Sequence, residues 1–196
     1  MDGRLPRSRS LFHRALVPAA ALFLRAALPG HHFQIATQEA RADLPRFRRF
    51  GGDPGFVEGW GLYAASLGEE LGLYRDAESK FSALAAQLSC AAGLVVDTGL
   101  NALGWSADQA LEFLRSQVPM DEPTARNTID RELALPGEAL ACALGARTFQ
   151  NLRARARETL GGRFDIRAYH AEILDGGAMP LDILESRVDL WLNAPH

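Results

Sequence analysis

The stretch FVEGWGLYAASLGEEL, residues 56–71, decides the fold class. Its apolar and aromatic residues recur three and four positions apart, which is the spacing of a helix face packed on a core. These residues are Val57, Trp60, Tyr63, Ala64 and Leu67. Gly72 follows at a position where helices often end in a left-handed residue. The stretch therefore predicts a helix over residues 56–71 with one buried side.

Helical spacing continues on both sides of this stretch. It predicts helices over residues 33–42, 76–97, 106–114, 123–133, 136–160, 165–174 and 182–192, and a loop over 43–55. In the helix over 76–97, one face is formed by Phe81, Leu84, Leu88, Ala91 and Val95, and Gly99 and Gly104 are expected to end it. No segment alternates with the period of a strand. The predicted fold class is mainly α, a multi-helix domain.

Local capping signals support two of these helices. Ser106 and Gln109 have the spacing of a capping box, in which each side chain bonds the other residue's backbone N–H. Asp165 stands where it can cap the helix that follows it. Both predictions concern contacts over a few residues, so they can be made without knowledge of the tertiary fold.

Composition and charge exclude several function classes. The chain has 196 residues, enough for one domain with a sizeable core, and 47% of them are hydrophobic. The first 50 residues hold nine arginines against three acids, while the whole chain carries a net charge of −3. These arginines are not interleaved with aromatic residues, so we expect no nucleic-acid partner. No purely apolar run approaches the roughly 18 residues of a membrane span, so none is expected.

The two cysteines carry no recognisable motif. Cys90 and Cys142 lie far apart, each in an Ala- and Leu-rich segment that is predicted to be helical. Neither belongs to a CxxC pattern, and two cysteines make no disulfide framework. The prediction is two buried free thiols that pack as small apolar residues.

The first 27 residues differ in character from the rest. Four arginines precede an apolar run over residues 15–24, an order that is typical of an export signal. Pro18 interrupts the run, and a motif-like segment begins directly at Leu28, so a cytoplasmic location is favoured over export. The predicted organisation is a basic and apolar N-terminal segment over residues 1–27 and a helical domain over residues 28–196.

Five segments together resemble a known family. They are LPGHHFQ (28–34), FVEGWGLYAASLGEELGLY (56–74), GLVVDTGLNALGW (93–105), LPGEALACALG (135–145) and FDIRAYHAEILDGGAMPLDILE (164–185). In this order they resemble the bacterial DUF885 family, which is similar to zinc peptidases of the thimet oligopeptidase and carboxypeptidase Taq type. The resemblance implies a zincin-like helical domain. It covers what would be the C-terminal third of a longer family member.

The family's signature resembles HExxPGHHxQ, followed by EGW on a later helix. A catalytic zinc takes about three protein ligands and a water, and the Glu after the first His would activate that water. Carried onto this chain, the resemblance makes His31 and Glu58 the candidate metal ligands. The first His of the motif is replaced by Arg25 and the general-base Glu by Ala26. The implied zinc site is therefore incomplete.

Other polar positions of the family pattern are replaced as well. This chain has Gly93, Asn101, Glu138, Cys142 and Ala143 where the pattern resembles Arg, His, Gln, Tyr and Lys. Asp97, Thr98, Arg131 and His170 match the pattern, and three of them, Asp97, Arg131 and His170, are the candidate catalytic residues. Asp97 has a second interpretation as a cap for the Gly-rich turn after it. Glu58 also has a second interpretation, as a first-turn carboxylate that interacts favourably with the dipole of its helix. The second interpretation of His31 and His32 is a pair at the start of a helix with one imidazole ring buried.

These observations predict a truncated and degenerate member of a zinc-peptidase-like family, inactive alone. Any zinc would bind at His31 and Glu58. Any remaining activity would be metal-dependent hydrolysis of a peptide substrate at these residues. The alternatives are a non-catalytic helical interaction module or the product of a disrupted gene with an unrelated N-terminal segment. A module of this kind would self-associate through apolar surface that the rest of a longer relative would cover.

Overall fold

The computed structural model describes residues 19–194, so residues 1–18 of the predicted N-terminal segment, with the four arginines of its signal-like pattern, lie outside the described residues. Within the described range all regular structure is helical, which confirms the mainly α prediction. The α-helices are α1 (Ala19–Ala26), α2 (His31–Ala40), α3 (Arg46–Phe50), α4 (Pro54–Ser66), α5 (Ala77–Ala102), α6 (Ala107–Gln117), α7 (Glu122–Ala134), α8 (Glu138–Leu160), α9 (Ile166–Asp175) and α10 (Leu181–Asn193). A 3-10 turn, Gly161–Arg163, joins α8 to α9.

Side-chain caps set the starts of several helices. At α6, Ser106 Oγ accepts from Gln109 N at 3.2 Å while Ser106 N donates to Gln109 Oε1 at 2.8 Å, which confirms the predicted box. The carboxylate of Asp165 accepts from Arg167 N at 2.9 Å and caps α9, also as predicted. Asp76 caps α5 in the same manner. Each of these bonds satisfies a backbone donor that the helix itself leaves free.

Helices α4 and α8 form the centre of the domain. They approach so closely at two glycines that a Cβ on Gly59 would lie 2.4 Å from the backbone of Gly145. Above this crossing, Phe56, Trp60 and Phe149 pack edge to face with ring centroids 5.3 to 5.6 Å apart. The burial of Trp60 and Tyr63 agrees with their predicted role as core anchors. Helices α9 and α10 complete this core with Tyr169, Ile173, Leu184 and Val188.

Helix α5 is longer than the sequence pattern predicts. It continues through Gly99 to Ala102, whereas Gly99 was expected to end it. The reason is tertiary, because a Cβ at Gly99 would lie 2.4 Å from the ring of Trp105. The glycine leaves room for an indole instead of breaking the helix. The chain turns only at Gly104, whose φ is +72°.

The apolar face of α5 points away from the core. Phe81 is 59% exposed, Leu84 62% and Leu88 41%, while the buried side of the helix carries the smaller Ala83, Ala92 and Val96 along with Asp97. By length and composition α5 would also be able to cross a membrane, although one such helix is weak support for a span. The predicted absence of a span therefore stays a prediction.

Residues 43–55, predicted to be a loop, contain the short helix α3. Long-range hydrogen bonds hold it. The guanidinium of Arg48 donates to Gly176 O at 2.7 Å, and the buried amide of Gln38 donates to Arg48 O at 2.7 Å. A five-residue helix is too short to form from local preference, so the sequence pattern could not indicate it. The helix predicted over residues 56–71 is shorter at its C-terminal end than expected, because it ends at Ser66.

Cys90 and Cys142 are paired as a disulfide, which corrects the prediction of free thiols. Their Cα atoms are 6.3 Å apart although 52 positions separate them in the chain. The pairing follows from the packing of α5 beside α8. Spacing along the sequence gives no information on such a contact, because it depends on which helices become neighbours.

Candidate functional site

Four helices and the end of α1 enclose a cleft of about 360 Å³. Glu58 of α4 lies on one side, and the disulfide between α5 and α8 on another. Charged residues from α7 and α8 also line the cleft, which are Arg131, Glu132 and Glu138. The guanidinium of Arg25 enters from the last turn of α1. Five charged side chains thus line one concave surface, namely Arg25, Glu58, Arg131, Glu132 and Glu138.

Arg25 makes an ion pair with the first candidate metal ligand. Its Nη2 lies 2.9 Å from Glu58 Oε2 and 3.9 Å from the sulfur of Cys142. Both side chains of the ion pair are about one third exposed, at 33% and 31%. The guanidinium therefore places a positive charge directly on the carboxylate that the family pattern would assign to zinc.

His31, the second candidate ligand, begins α2 and lies against α4. Its Nε2 is 3.9 Å from Glu58 Oε2, and it is buried without a hydrogen-bond partner among the described residues. A Cβ at Gly61 would lie only 2.2 Å from this nitrogen, so the glycine makes room for the imidazole. The loop before it is held by the indole of Trp60, which donates to Pro29 O at 2.8 Å. The predicted pair His31 and Glu58 is thus brought together.

These residues do not fit a zinc ion as they stand. His31 and Glu58 supply two donors where a zinc site needs at least three from the protein. In the part of the chain that the structure describes, no three His, Cys, Asp or Glu side chains are grouped for metal binding. The oxygen of Glu58 nearest to His31 already accepts from a guanidinium. A cation at that point would be repelled by Arg25.

Asp97 lies behind the cleft and is 2% exposed. Its carboxylate accepts from Gly137 N at 2.8 Å and from Ala139 N at 3.3 Å, and also from the side chain of Asn101 at 2.9 Å. These bonds cap the start of α8 from the last two turns of α5. The alternative prediction of a cap was correct in kind, but the capped segment is a distant helix and not the turn after Asp97.

Arg131 reaches the cleft and pairs with Glu138 across the loop between α7 and α8. Next to it lies Glu132, a residue that the sequence analysis did not select. Glu132 is 6% exposed, and its Oε2 has no hydrogen-bond partner among residues 19–194. Burial, and next the carboxylate of Asp97, raises the pKa of Glu132 above its ordinary value.

A sequence signal for Glu132 did exist. The buried positions of α7 are Ala125, Ile129 and Glu132, which follow each other at helical spacing. An acidic residue on the buried stripe of an otherwise polar helix is unusual, because an unpaired charge is costly to bury.

His170 lies apart from the cleft, on α9. Its Nε2 is 2.8 Å from the hydroxyl of Tyr63, and its ring packs edge to face on that of Trp60. Burial, and next the charge of Arg153, lowers the pKa of His170 to about 4. Burial also raises the pKa of Tyr63 to about 12. Of the five candidate residues, four lie in or next to the cleft, and His170 is half-buried against Trp60 and Tyr63.

The profile of one family matches this chain, and five chains of solved structures match it as well, among them two putative lipoproteins. The profile of a family described as "Bacterial protein of unknown function (DUF885)" matches residues 7–188. This match begins ahead of residue 28, where the sequence analysis placed a domain boundary, and the boundary itself stays a prediction. No curated protein matches the chain.

Both structural relatives are much longer than this chain. A "putative lipoprotein" from Colwellia psychrerythraea is 37% identical with a TM-score of 0.86, and the match covers 88% of this chain and 30% of that one. A "putative lipoprotein of unknown function" from Shewanella oneidensis is 19% identical with a TM-score of 0.82, over 95% of this chain and 34% of that one. The second shows a shared fold alone. The chain spans about one third of the length of either relative.

Proposed function

The chain belongs to the DUF885 family, and on that premise we propose that it is a non-hydrolytic member whose metal position is taken by its own arginine. In this proposal the helical domain is zincin-like, and the guanidinium of Arg25 replaces the cation that a peptidase of this type would bind. Ala26 stands where the general base would stand, so no side chain there would activate a water. The chain alone hydrolyses no peptide.

The observation that carries this proposal is the ion pair between Arg25 and Glu58. At 2.9 Å it is a charge-assisted hydrogen bond, and it uses the carboxylate oxygen that also lies nearest to His31. A metal ion would have to displace a tethered cation that is always charged. The half-buried position strengthens the ion pair relative to one in open solvent.

A second observation indicates that the substituted residues of the site form new interactions with each other and are not the result of random loss of function. Residues that depart from the family pattern have found partners in this chain, which are Glu58 for Arg25, Asp97 for Asn101, Arg131 for Glu138 and Cys90 for Cys142. Random loss of function would leave such replacements unmatched around a buried site. The matched set therefore favours a retained protein over the product of a disrupted gene.

The test is zinc content and peptide hydrolysis of the protein purified without added metal. The unaltered chain and Glu58→Ala are both expected to hold less than a tenth of an equivalent of zinc, on the order set by adventitious binding. The variant carrying Arg25→His and Ala26→Glu together restores the missing letters of the motif and is expected to gain zinc. Near-stoichiometric zinc in the unaltered chain, lost in Glu58→Ala, would sink the proposal.

The alternative function is a helical module that self-associates through α5. The observation that favours it is the exposed row Phe81, Leu84 and Leu88 on a helix whose charged residues are Glu78, Lys80 and Asp97. The same row on a second copy of the chain would pack against this one and remove both from water. We propose this dimer as a property of the same protein, separate from the chemistry of the cleft.

Light scattering after size-exclusion chromatography tests the dimer. The expected mass is twice the 21.3 kDa of the chain, falling to one copy in Leu84→Glu. Leu190→Glu, at a 76% exposed position on α10, is the matched control and should leave the dimer intact. A monomer at every concentration, or recovery of the chain only with a detergent or membrane fraction, would contradict self-association.

A further inference from the structure

Glu132 is a carboxyl group of the cleft with one oxygen, Oε2, that has no hydrogen-bond partner among the described residues. It lines the cleft, is 6% exposed, and its Oε2 makes no hydrogen bond to any described residue. A buried acceptor left in this state destabilises the fold, because water has been lost and nothing has replaced it. Such a group in a native structure calls for an explanation, and a bound donor is the simplest one.

The other charges of the cleft are already matched. Arg25 is paired with Glu58, and Arg131 with Glu138. The charge of Asp97 is taken up by two backbone N–H groups at the start of α8 and by Asn101. When these pairs are set aside, the carboxylate of Glu132 is left, so the cleft offers one unmatched negative charge.

A second free acceptor lies on the neighbouring helix. Oε2 of Glu138 is also buried without a partner among residues 19–194, while Arg131 occupies the other oxygen of that carboxylate. Gly93 leaves space beside both helices, since a Cβ there would lie 3.8 Å from Glu132 Oε1 and 3.5 Å from Ala139 Cβ. Glu132 of α7 and Glu138 of α8 thus both line the cleft, and each has one carboxylate oxygen without a hydrogen-bond partner among the described residues.

We propose that the cleft binds a primary ammonium group, held by Glu132 and Glu138. An ammonium carries one positive charge and three N–H donors on a single small atom, which suits two free oxygens and one unmatched charge. A divalent cation suits the cleft less well, because it needs six or more oxygen ligands, whereas Glu132 and Glu138 leave two oxygens without a partner among the described residues. Two sources supply such an ammonium, the amino end of a peptide and a free aliphatic amine, and the experiment distinguishes them.

This inference rests on the proposed function in one respect, since Arg25 must stay paired with Glu58. The two proposals fail in different ways. A metal in the unaltered chain would refute the closed ion pair, whereas an absent metal with no amine binding would refute the ammonium site alone.

The experiment is a titration of the full chain at pH 7 with trialanine, N-acetyl-trialanine and butylamine, followed by calorimetry or by NMR shifts. Trialanine is expected to bind, and acetylation or Glu132→Gln to weaken binding about tenfold or more, because each removes one charge from the contact. Glu185→Gln, at an exposed position of α10, is the matched control and should bind as the unaltered chain does. Butylamine binding as tightly as trialanine assigns the site to free amines.

Equal affinity for trialanine and its acetylated form would overturn the proposal, as would unchanged affinity in a folded Glu132→Gln. Calcium or magnesium binding that excludes the amine would overturn it as well. If Glu132→Gln does not fold, the comparison of the two peptides on the unaltered chain decides, and Glu138→Gln takes the place of the failed variant.

Discussion

Asp97 caps a helix that begins 40 residues further along the chain, at Gly137. Its two carboxylate oxygens lie 2.8 and 3.1 Å from Gly137 N, and one of them also accepts from Ala139 N. The start of α8 is thereby fixed to the last two turns of α5. Since α8 also forms the core with α4, this one carboxylate connects the cleft to the main packing layer.

Replacing this carboxylate should therefore cost more than the loss of an ordinary surface cap. We expect Asp97→Asn to lower the free energy of unfolding by about 2 kcal/mol, because an amide nitrogen would face backbone donors in a buried place. Urea titration measures the change. Asp130→Asn, exposed on α7, is the control and should shift stability by less than about 0.5 kcal/mol. Equal effects of the two variants would show that the contact is not stabilising.

The ion pair between Arg25 and Glu58 should show a measurable coupling. A double-mutant cycle with Arg25→Ala and Glu58→Ala is expected to give about 0.5 to 1 kcal/mol, because both side chains are about one third exposed. The coupling should fall as salt is raised. Additive effects of the two substitutions at low salt would mean that the ion pair does not form in solution.

The contact of α4 with α8 should not tolerate a methyl group. Gly59→Ala would place Cβ 2.4 Å from the backbone of Gly145, so one helix must move and we expect a loss of about 2 kcal/mol or more. Gly162→Ala has no heavy atom within 4 Å of the new Cβ and serves as the control. Thermal unfolding followed by circular dichroism compares them. A Gly59→Ala variant as stable as Gly162→Ala would contradict the close crossing.

His170 should make stability depend on pH below neutrality. Its pKa in the folded protein is about 4, below the ordinary value of 6.5, so the unfolded chain binds more protons between these values. Stability from this group is complete above pH 6.5 and is lost as the pH falls toward about 4. The groups that face the imidazole are Tyr63, Glu70 and Arg153.

The variant His170→Gln should unfold with a shallower pH dependence across that window. His32→Gln, exposed at the start of α2, retains the other titrating groups and serves as the control. Unfolding midpoints in urea at half-unit steps of pH from 4 to 7 measure the difference. Parallel curves for the unaltered chain and His170→Gln would show that this histidine does not carry the dependence.

The disulfide should stabilise the domain through the loop that it closes. For a separation of 52 residues, the chain-entropy account gives up to about 4 kcal/mol. We expect a reducing agent to lower the unfolding midpoint of the unaltered chain and to leave that of a Cys90→Ser, Cys142→Ser variant unchanged. Alkylation and mass measurement of the unreduced protein count the free thiols. Two labelled thiols per chain would refute the bond.

Local sequence patterns were sufficient to predict most of the helices, but not to predict which other helices each of them packs against. The box at Ser106 and the cap at Asp165 were predictable because they join residues two or three positions apart. The face of α5 was not, because apolar spacing shows that a face exists and says nothing of which neighbour covers it. Small residues such as Ala92 pack inward, and larger ones such as Leu84 face outward.

The same division holds for the cleft. The resemblance to the family selected His31 and Glu58, and the structure brings these two together. It also selected His170, which lies apart from them and is paired with Tyr63. Glu132 was missed although it stands on the buried stripe of α7. An unpaired buried carboxyl becomes evident only when its neighbours are known.

By itself the sequence determined the mainly α class, the positions of most helices and the family, because these depend on periodicity, on caps and on motifs that act over a few residues. Only the tertiary structure decided that Arg25 pairs with Glu58, that Cys90 bonds to Cys142 and that Asp97 caps α8. These contacts join residues 33, 52 and 40 positions apart. The physical reason is the close crossing of α4 and α8 at Gly59 and Gly145, which sets the neighbours of each helix and thereby the charges that meet in the cleft.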